Sequence, residues 1–118
     1  MPYVDGFVLP VPKKNLKAYR RMAAAAGRVW KKHGALQYVE CVGDDLNQKK
    51  VASFPRAAKA KTGETVLFSW IVYRSRAHRD RVNRKIMNDP AILAMMNQKP
   101  IFDFRRMVYG GFKVIVKR

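Results

Sequence analysis

Groups that build most catalytic and metal centres are scarce in this chain: its 118 residues hold one cysteine, two histidines and eight acidic residues. A lone Cys41 excludes a disulfide framework within the chain and a cysteine-based structural zinc site. His33 and His78 lie on different elements with no third ligand in view, so no metal is expected. No P-loop, dinucleotide fingerprint or spaced Ser/His/Asp signature is present, so no cofactor is expected either. No window approaches the roughly 18 uninterrupted apolar residues of a membrane span. The opening MPYVDGFVLPVP holds two prolines and an Asp and lacks a basic start, so no secretory signal is expected. These absences lead to the expectation of a soluble cytoplasmic protein, folded as one domain over residues 1–118 and without a membrane partner.

Basic charge is abundant. Twenty-five Lys and Arg give a formal charge of +17. Nucleic acid is the obvious partner for such a chain, but 48 % hydrophobic residues exclude a basic disordered tail. The charge is also spread evenly, and it clusters on two helical segments, Lys13–Lys32 and Arg74–Lys85.

Periodicity places the elements. Tyr3–Val11 is an extended run closed by Pro10 and Pro12. Leu16, Tyr19, Met22, Ala23, Ala26, Val29, Trp30 and His33 recur at three- and four-residue steps, the stripe of a helix that Gly34 ends. Leu36–Val42 reads as a second strand. A long loop over residues 46–63 follows, with a helical turn expected at Ala57–Lys61. Glu64–Tyr73 is a β-branched and aromatic strand. Ser75 caps a helix carrying His78, Val82 and Ile86, and Asp89-Pro90 opens a short one. Met107–Val116 is a last strand, with a bulge expected at Gly110-Gly111. The order β-α-β-β-α-β predicts an α+β, ferredoxin-like fold, one antiparallel sheet covered on one face by helices.

Alternation within the strands separates two faces. Val4, Gly6, Val8, Val39, Cys41, Leu67, Ser69, Ile71, Val108, Phe112 and Val114 are small or aliphatic and are expected beneath the helices. Tyr3, Asp5, Phe7, Tyr38, Glu40, Phe68, Trp70, Met107 and Tyr109 are expected on the open face. So apolar a face calls for a partner or a ligand, and a second copy of the chain is the simplest cover.

The blocks YVDGFVLPVPKK, GALQYVECVGDD, FSWIVY with SRAHRD, and FRRMVYGGF resemble, in order, the YbaA-like family, a bacterial family of unknown function. The resemblance implies a dimeric α+β barrel in which two ferredoxin-like subunits close their sheets against each other. It implies no reaction. The chain departs from the family pattern at Phe104, where a glycine is usual, at Lys113, where an acidic residue is usual, and at Arg74, where a proline is usual.

Asp5 and Glu40 are the candidate catalytic carboxylates, since burial on an apolar face raises a carboxyl pKa towards neutrality. The alternative is that each is held in a structural ion pair. Tyr38, Phe68, Trp70 and Tyr109 are candidate ligand-binding residues for a small apolar or aromatic molecule, or else part of a dimer interface. His33 reads as a satisfied core or helix-end residue. His78 sits in a first turn that disfavours a charged imidazole. RNA recognition is the alternative function, because the RNA-recognition motif shares the element order and stacks bases on strand aromatics, for which Tyr3, Phe68, Trp70 and Tyr73 are the candidates. The basic helix faces, however, lie away from that sheet surface, which leaves non-specific, salt-dependent binding as their simplest nucleic-acid role.

Overall fold

The computed structural model describes residues 1–118. Its strands are β1 (Tyr3–Pro12), β2 (Gln37–Val42), β3 (Glu64–Tyr73) and β4 (Val108–Lys113), and they form one antiparallel sheet in the order β2-β3-β1-β4. Helices α1 (Leu16–Lys32), α2 (Phe54–Ala57), α3 (Arg76–Met87) and α4 (Pro90–Met96) complete the chain. With β1 and β3 central and helices on one face, the fold is ferredoxin-like α+β, as the element order predicts. No helix is long and apolar enough to cross a membrane.

Local chemistry sets the ends of these elements. Gly34 takes φ +114°, a region open to glycine, and turns the chain out of α1. Ser75 and Asp89 cap α3 and α4 by accepting from the backbone N–H groups of His78 and Ala91. The helical turn in the long loop forms earlier than expected, at Phe54–Ala57. There Ser53 accepts from the Arg56 N–H and Pro55 sits in the first turn. The expected bulge at Gly110-Gly111 is absent. The two glycines pair in continuous register with Gly6 and Asp5. A Cβ at Gly111 would collide with Arg79 and Tyr3, so packing across the sheet, not a bulge, demands glycine there.

Register also corrects the assignment of faces. Residues directly opposite one another share a face. Tyr3, Asp5 and Phe7 lie opposite Tyr73, Ile71 and Ser69 on one side and opposite Lys113, Gly111 and Tyr109 on the other. Tyr38 and Glu40 lie opposite Ile71 and Ser69. Tyr3, Asp5, Leu9, Leu67, Ile71 and Tyr73 are buried against the helices, so Asp5, Tyr38, Glu40 and Tyr109 also belong to the covered face. Val4, Gly6, Val8, Val39, Cys41, Val108 and Phe112, expected beneath the helices, share the open face with Phe68 and Trp70. The expectation placed β3 correctly and the other three strands one residue out of phase. Large rings fill the space beneath α1 and α3, which the expectation had given to aliphatic residues.

Two buried groups hold the layers together. Ala26, Val29, Ile71, Tyr73, Val82, Ile86 and Ile92 join α1, α3 and α4 to the sheet. Leu9, Val11, Tyr19, Ala23 and Leu67 join the start of α1 to β1 and β3. Truncating a fully buried member such as Ile86 to Ala costs about 2–5 kcal/mol. Every Lys and Arg except Arg79 and Arg106 is exposed, so the positive charge coats the outside of this core.

Candidate functional site

The helical stripe of α1 includes Tyr19, whose phenol points towards β2. There Glu40 accepts two hydrogen bonds, from Tyr19 Oη to Oε1 and from Tyr38 Oη to Oε2, each 2.9 Å. Tyr38 and Glu40 reach the same side of the edge strand because they are two residues apart. Tyr38 lies flat against α1 because Gly27 has no side chain: a Cβ there would sit 2.8 Å from Tyr38 Cδ1.

A cavity of about 180 Å³ opens beside this carboxylate. Its wall is apolar, formed by residues such as Phe7, Met22, Ala26, Trp30 and Ile71, with Phe102 and Met107 closing it from the segment before β4. Glu40 is the only ionisable acid on the lining, beside Ser69 and the two phenols. Burial raises the Glu40 carboxyl pKa, while hydrogen bonds from Tyr19, Tyr38 and Ser69 hold the rise in check. Burial first, and then the Glu40 charge, push both phenols above the usual tyrosine range. Both phenols therefore keep their protons and act as donors. A carboxylate whose proton affinity is raised by burial, held by two fixed donors and facing an apolar space, is the arrangement that general-base chemistry uses.

Asp5 lies in a different setting on the same face. It is 1 % exposed. Arg79 Nε approaches Oδ1 to 3.3 Å at an angle unfit for a hydrogen bond, while Arg79 donates to Tyr3 and Asp80. Burial raises the Asp5 pKa, and Arg79, Tyr109 and Asn83 oppose the rise. Asp5 is thus enclosed by packed side chains, and a guanidinium supplies its counter-charge. Arg79 is legible as a buried cation only in retrospect: it precedes Val82 by three and Ile86 by seven, on the buried stripe of α3.

The six candidates do not form one site. Glu40 and Tyr38 meet at the cavity. Asp5 and Tyr109 meet near Arg79, and Tyr109 stacks on Phe7 at 4.9 Å. Phe68 and Trp70 stand on the open face, in edge contact with each other at 5.7 Å. Tyr19, which lines the cavity, was hidden in the apolar stripe of the helix, and Gly27, against which Tyr38 packs, lies outside that stripe. Cys41 was expected beneath the helices and stands on the open face opposite Phe68. His33 ends α1, its Nε2 2.7 Å from the Asp89 carboxylate, in the helix-end role expected of it. His78 Nδ1 accepts from the Arg74 N–H, and burial followed by nearby Arg74 and Arg81 lowers its pKa.

The open face forms an apolar trough of about 460 Å³, with Val4, Val8, Phe68, Trp70, Val108 and Phe112 along it. The RNA alternative loses its platform here. Tyr3 and Tyr73 lie beneath the helices, so neither can stack a base beside Phe68 and Trp70.

Residues 2–104 match the model of a family described as a protein of unknown function, DUF1428. The uncharacterised protein YbaA of Escherichia coli K12 is 47 % identical over 116 residues, 98 % of each chain. Among solved structures, a dimeric ferredoxin-like protein from an uncultured marine organism covers all of both chains at 11 % identity, with a TM-score of 0.56. SnoaB, a cofactor-independent oxygenase from Streptomyces nogalater, is 13 % identical with a TM-score of 0.54, over 98 % of this chain and 95 % of its own. At such identities the structural likeness shows the fold alone.

Proposed function

The chain belongs, with YbaA, to the bacterial DUF1428 family of unknown function, and from that premise we propose that it is a homodimeric α+β barrel that binds a small apolar molecule beneath α1. Glu40 acts on that molecule as a general base. The observation that carries the reading is the Glu40–Tyr19–Tyr38 cluster on the wall of an otherwise apolar cavity. Its size suits one ring, since an apolar cavity of about 150 Å³ accepts benzene. Ionised Glu40 takes a proton from the bound molecule, and the Tyr19 and Tyr38 phenols orient its carboxylate. The protonated Glu40 then returns the proton to the same or a neighbouring atom. Asp5 stands outside this step as the counter-charge of Arg79.

Dimerisation is supported by the apolar trough of the open face and by the dimeric state of a structural neighbour. Exposed Phe68, Val108 and Phe112 are the residues a partner sheet would cover. A single free cysteine suits the reducing cytoplasm, which we take as the compartment.

Ligand-observed NMR against a set of single-ring compounds tests the binding site. The expected hits disappear in Ala26→Leu, which fills the cavity, and persist in Phe112→Asp, which alters only the open face. Hits that survive Ala26→Leu, or no hits at all, overturn the reading. Light scattering tests the assembly separately: a dimer is expected, dissociated by Phe112→Asp, and a native monomer contradicts it.

A further inference from the structure

The positive charge that coats the helices takes no part in the cavity chemistry. Of the 25 Lys and Arg, only Lys32, Arg79, Arg105 and Arg106 pair with an acidic side chain. α1 contains no acidic residue, and α3 contains only Asp80, which Arg79 engages. α1 exposes six cations between Lys17 and Lys32, and α3 exposes four between Arg76 and Lys85. Both helices pack on the same face of the sheet, so these ten form one basic surface.

The arrangement works against the fold itself. Lys17 and Arg21, Arg28 and Lys32, and Arg81 and Lys85 set like charges one turn apart, which destabilises a helix. Lys17 and Arg76 lie in first turns, where the helix dipole disfavours a cation and neither helix supplies an acid. Solubility needs no such pattern, because a surface of mixed sign achieves it with less self-repulsion. Cations left unpaired at a cost to their own helices call for anions from outside the chain.

The surface also selects among polyanions. Tyr19 and Trp30, the rings of α1, turn inward to the cavity, and α3 has no ring except the buried His78. Single-stranded bases therefore find no platform to stack on, and a bilayer finds no aromatic side chain to take up. The helical layer is a broad side of a molecule measuring 38 × 38 × 20 Å, close to one turn of a duplex, about 34–36 Å. We infer that the outer surface of α1 and α3 binds the phosphate backbone of double-stranded nucleic acid without reading its sequence. The apolar trough lies on the opposite face of the sheet, so a duplex and a second copy of the chain do not compete.

Fluorescence anisotropy with two DNA duplexes of unrelated sequence, each about two turns long, tests the inference. Both should bind alike at about 50 mM salt, and about five phosphate contacts should lower the affinity about 10²–10³-fold by about 200 mM. Combining Arg21→Gln, Arg28→Gln and Arg84→Gln should weaken low-salt binding at least about tenfold and flatten the salt dependence. Combining Lys49→Gln, Lys50→Gln and Lys117→Gln removes the same charge outside the two helices and should weaken binding less than about threefold. All six side chains are exposed and free of ion pairs, so neither variant should melt below the native protein. Equal losses in the two variants would show attraction by net charge alone and overturn the inference. A strong preference between the two sequences, or tighter binding to phosphatidylglycerol vesicles than to either duplex, would overturn it as well. So would the absence of binding at low salt.

Discussion

Asp5 and Glu40 lie on the same covered face of one sheet, and both carboxyl groups are raised in pKa by burial, yet their surroundings differ. Asp5 is almost wholly shielded from solvent, and the compensating charge is Arg79. Around Glu40 no cation makes contact; two phenols hold the carboxylate, and empty apolar space adjoins it. A buried carboxylate with a guanidinium partner is stabilised in place and has nothing to act upon. One held by neutral donors beside a cavity keeps a proton affinity that a ligand can use. A raised pKa alone does not separate the two cases. The partner and the space beside the carboxyl do.

The largest difference should appear on removing each charge. Asp5→Leu leaves the largely buried Arg79 paired only with the half-exposed Asp80 and is expected to cost about 2–3 kcal/mol in urea unfolding. Glu40→Gln keeps an acceptor and adds a donor between the two tyrosines, and should cost less than about 1 kcal/mol. Equal losses for the two variants would break the contrast.

A third carboxylate serves as a reference. Glu64 receives a forked pair of hydrogen bonds from Arg106, at 2.6 and 2.7 Å, and these bonds lower its pKa from 4.5 to about 2. A depressed pKa contributes stability that is present above the unfolded value and lost as pH falls. Glu64→Gln should therefore melt several degrees below the native protein at pH 7, with the gap closing between about pH 4.5 and 2. Thermal melts across that range measure it.

Glu40 should show the opposite slope. Its folded pKa is raised, so the folded state holds the proton more tightly and loses relative stability as pH rises past the unfolded carboxyl pKa. Relative to the native protein, Glu40→Gln should gain stability as pH rises from about 4 to 8, which urea unfolding across that range measures. A gain at low pH instead would mean that the phenols, not burial, dominate the site.

A comparably small stability effect is expected at Gly27. In Gly27→Ala a Cβ 2.8 Å from Tyr38 pushes the ring aside at about 1–3 kcal/mol, while better helix propensity returns about 1. A net loss near 1 kcal/mol should accompany a marked loss of ligand binding, which titration of the variant detects. Binding that survives Gly27→Ala would show that the position of Tyr38 is unimportant.

Much of this arrangement was legible before the structure. The β-α-β-β-α-β order, the helix caps at Ser75 and Asp89, and the Gly34 stop follow from local chemistry, and each is present. The phase of the strands was not legible, because both faces of this sheet are apolar and alternation marks a face only where polar residues mark the other. β1 alternates Tyr3, Asp5, Phe7 with Val4, Gly6, Val8, and neither set announces water. Glu40 was named as a candidate, but its partner Tyr19 looked like one more residue of an apolar helix stripe. The cavity depends on how far Gly27 and Ala26 let α1 approach the sheet, a tertiary distance that no local pattern encodes.

The direct test of the account is a crystal structure of the protein soaked with a single-ring compound that binds in solution. The account predicts the ring beneath α1 among Ala26, Trp30 and Phe102, beside Glu40. Ligand found only in the trough of Phe68, Trp70 and Phe112, with the cavity beside Glu40 empty, would contradict it.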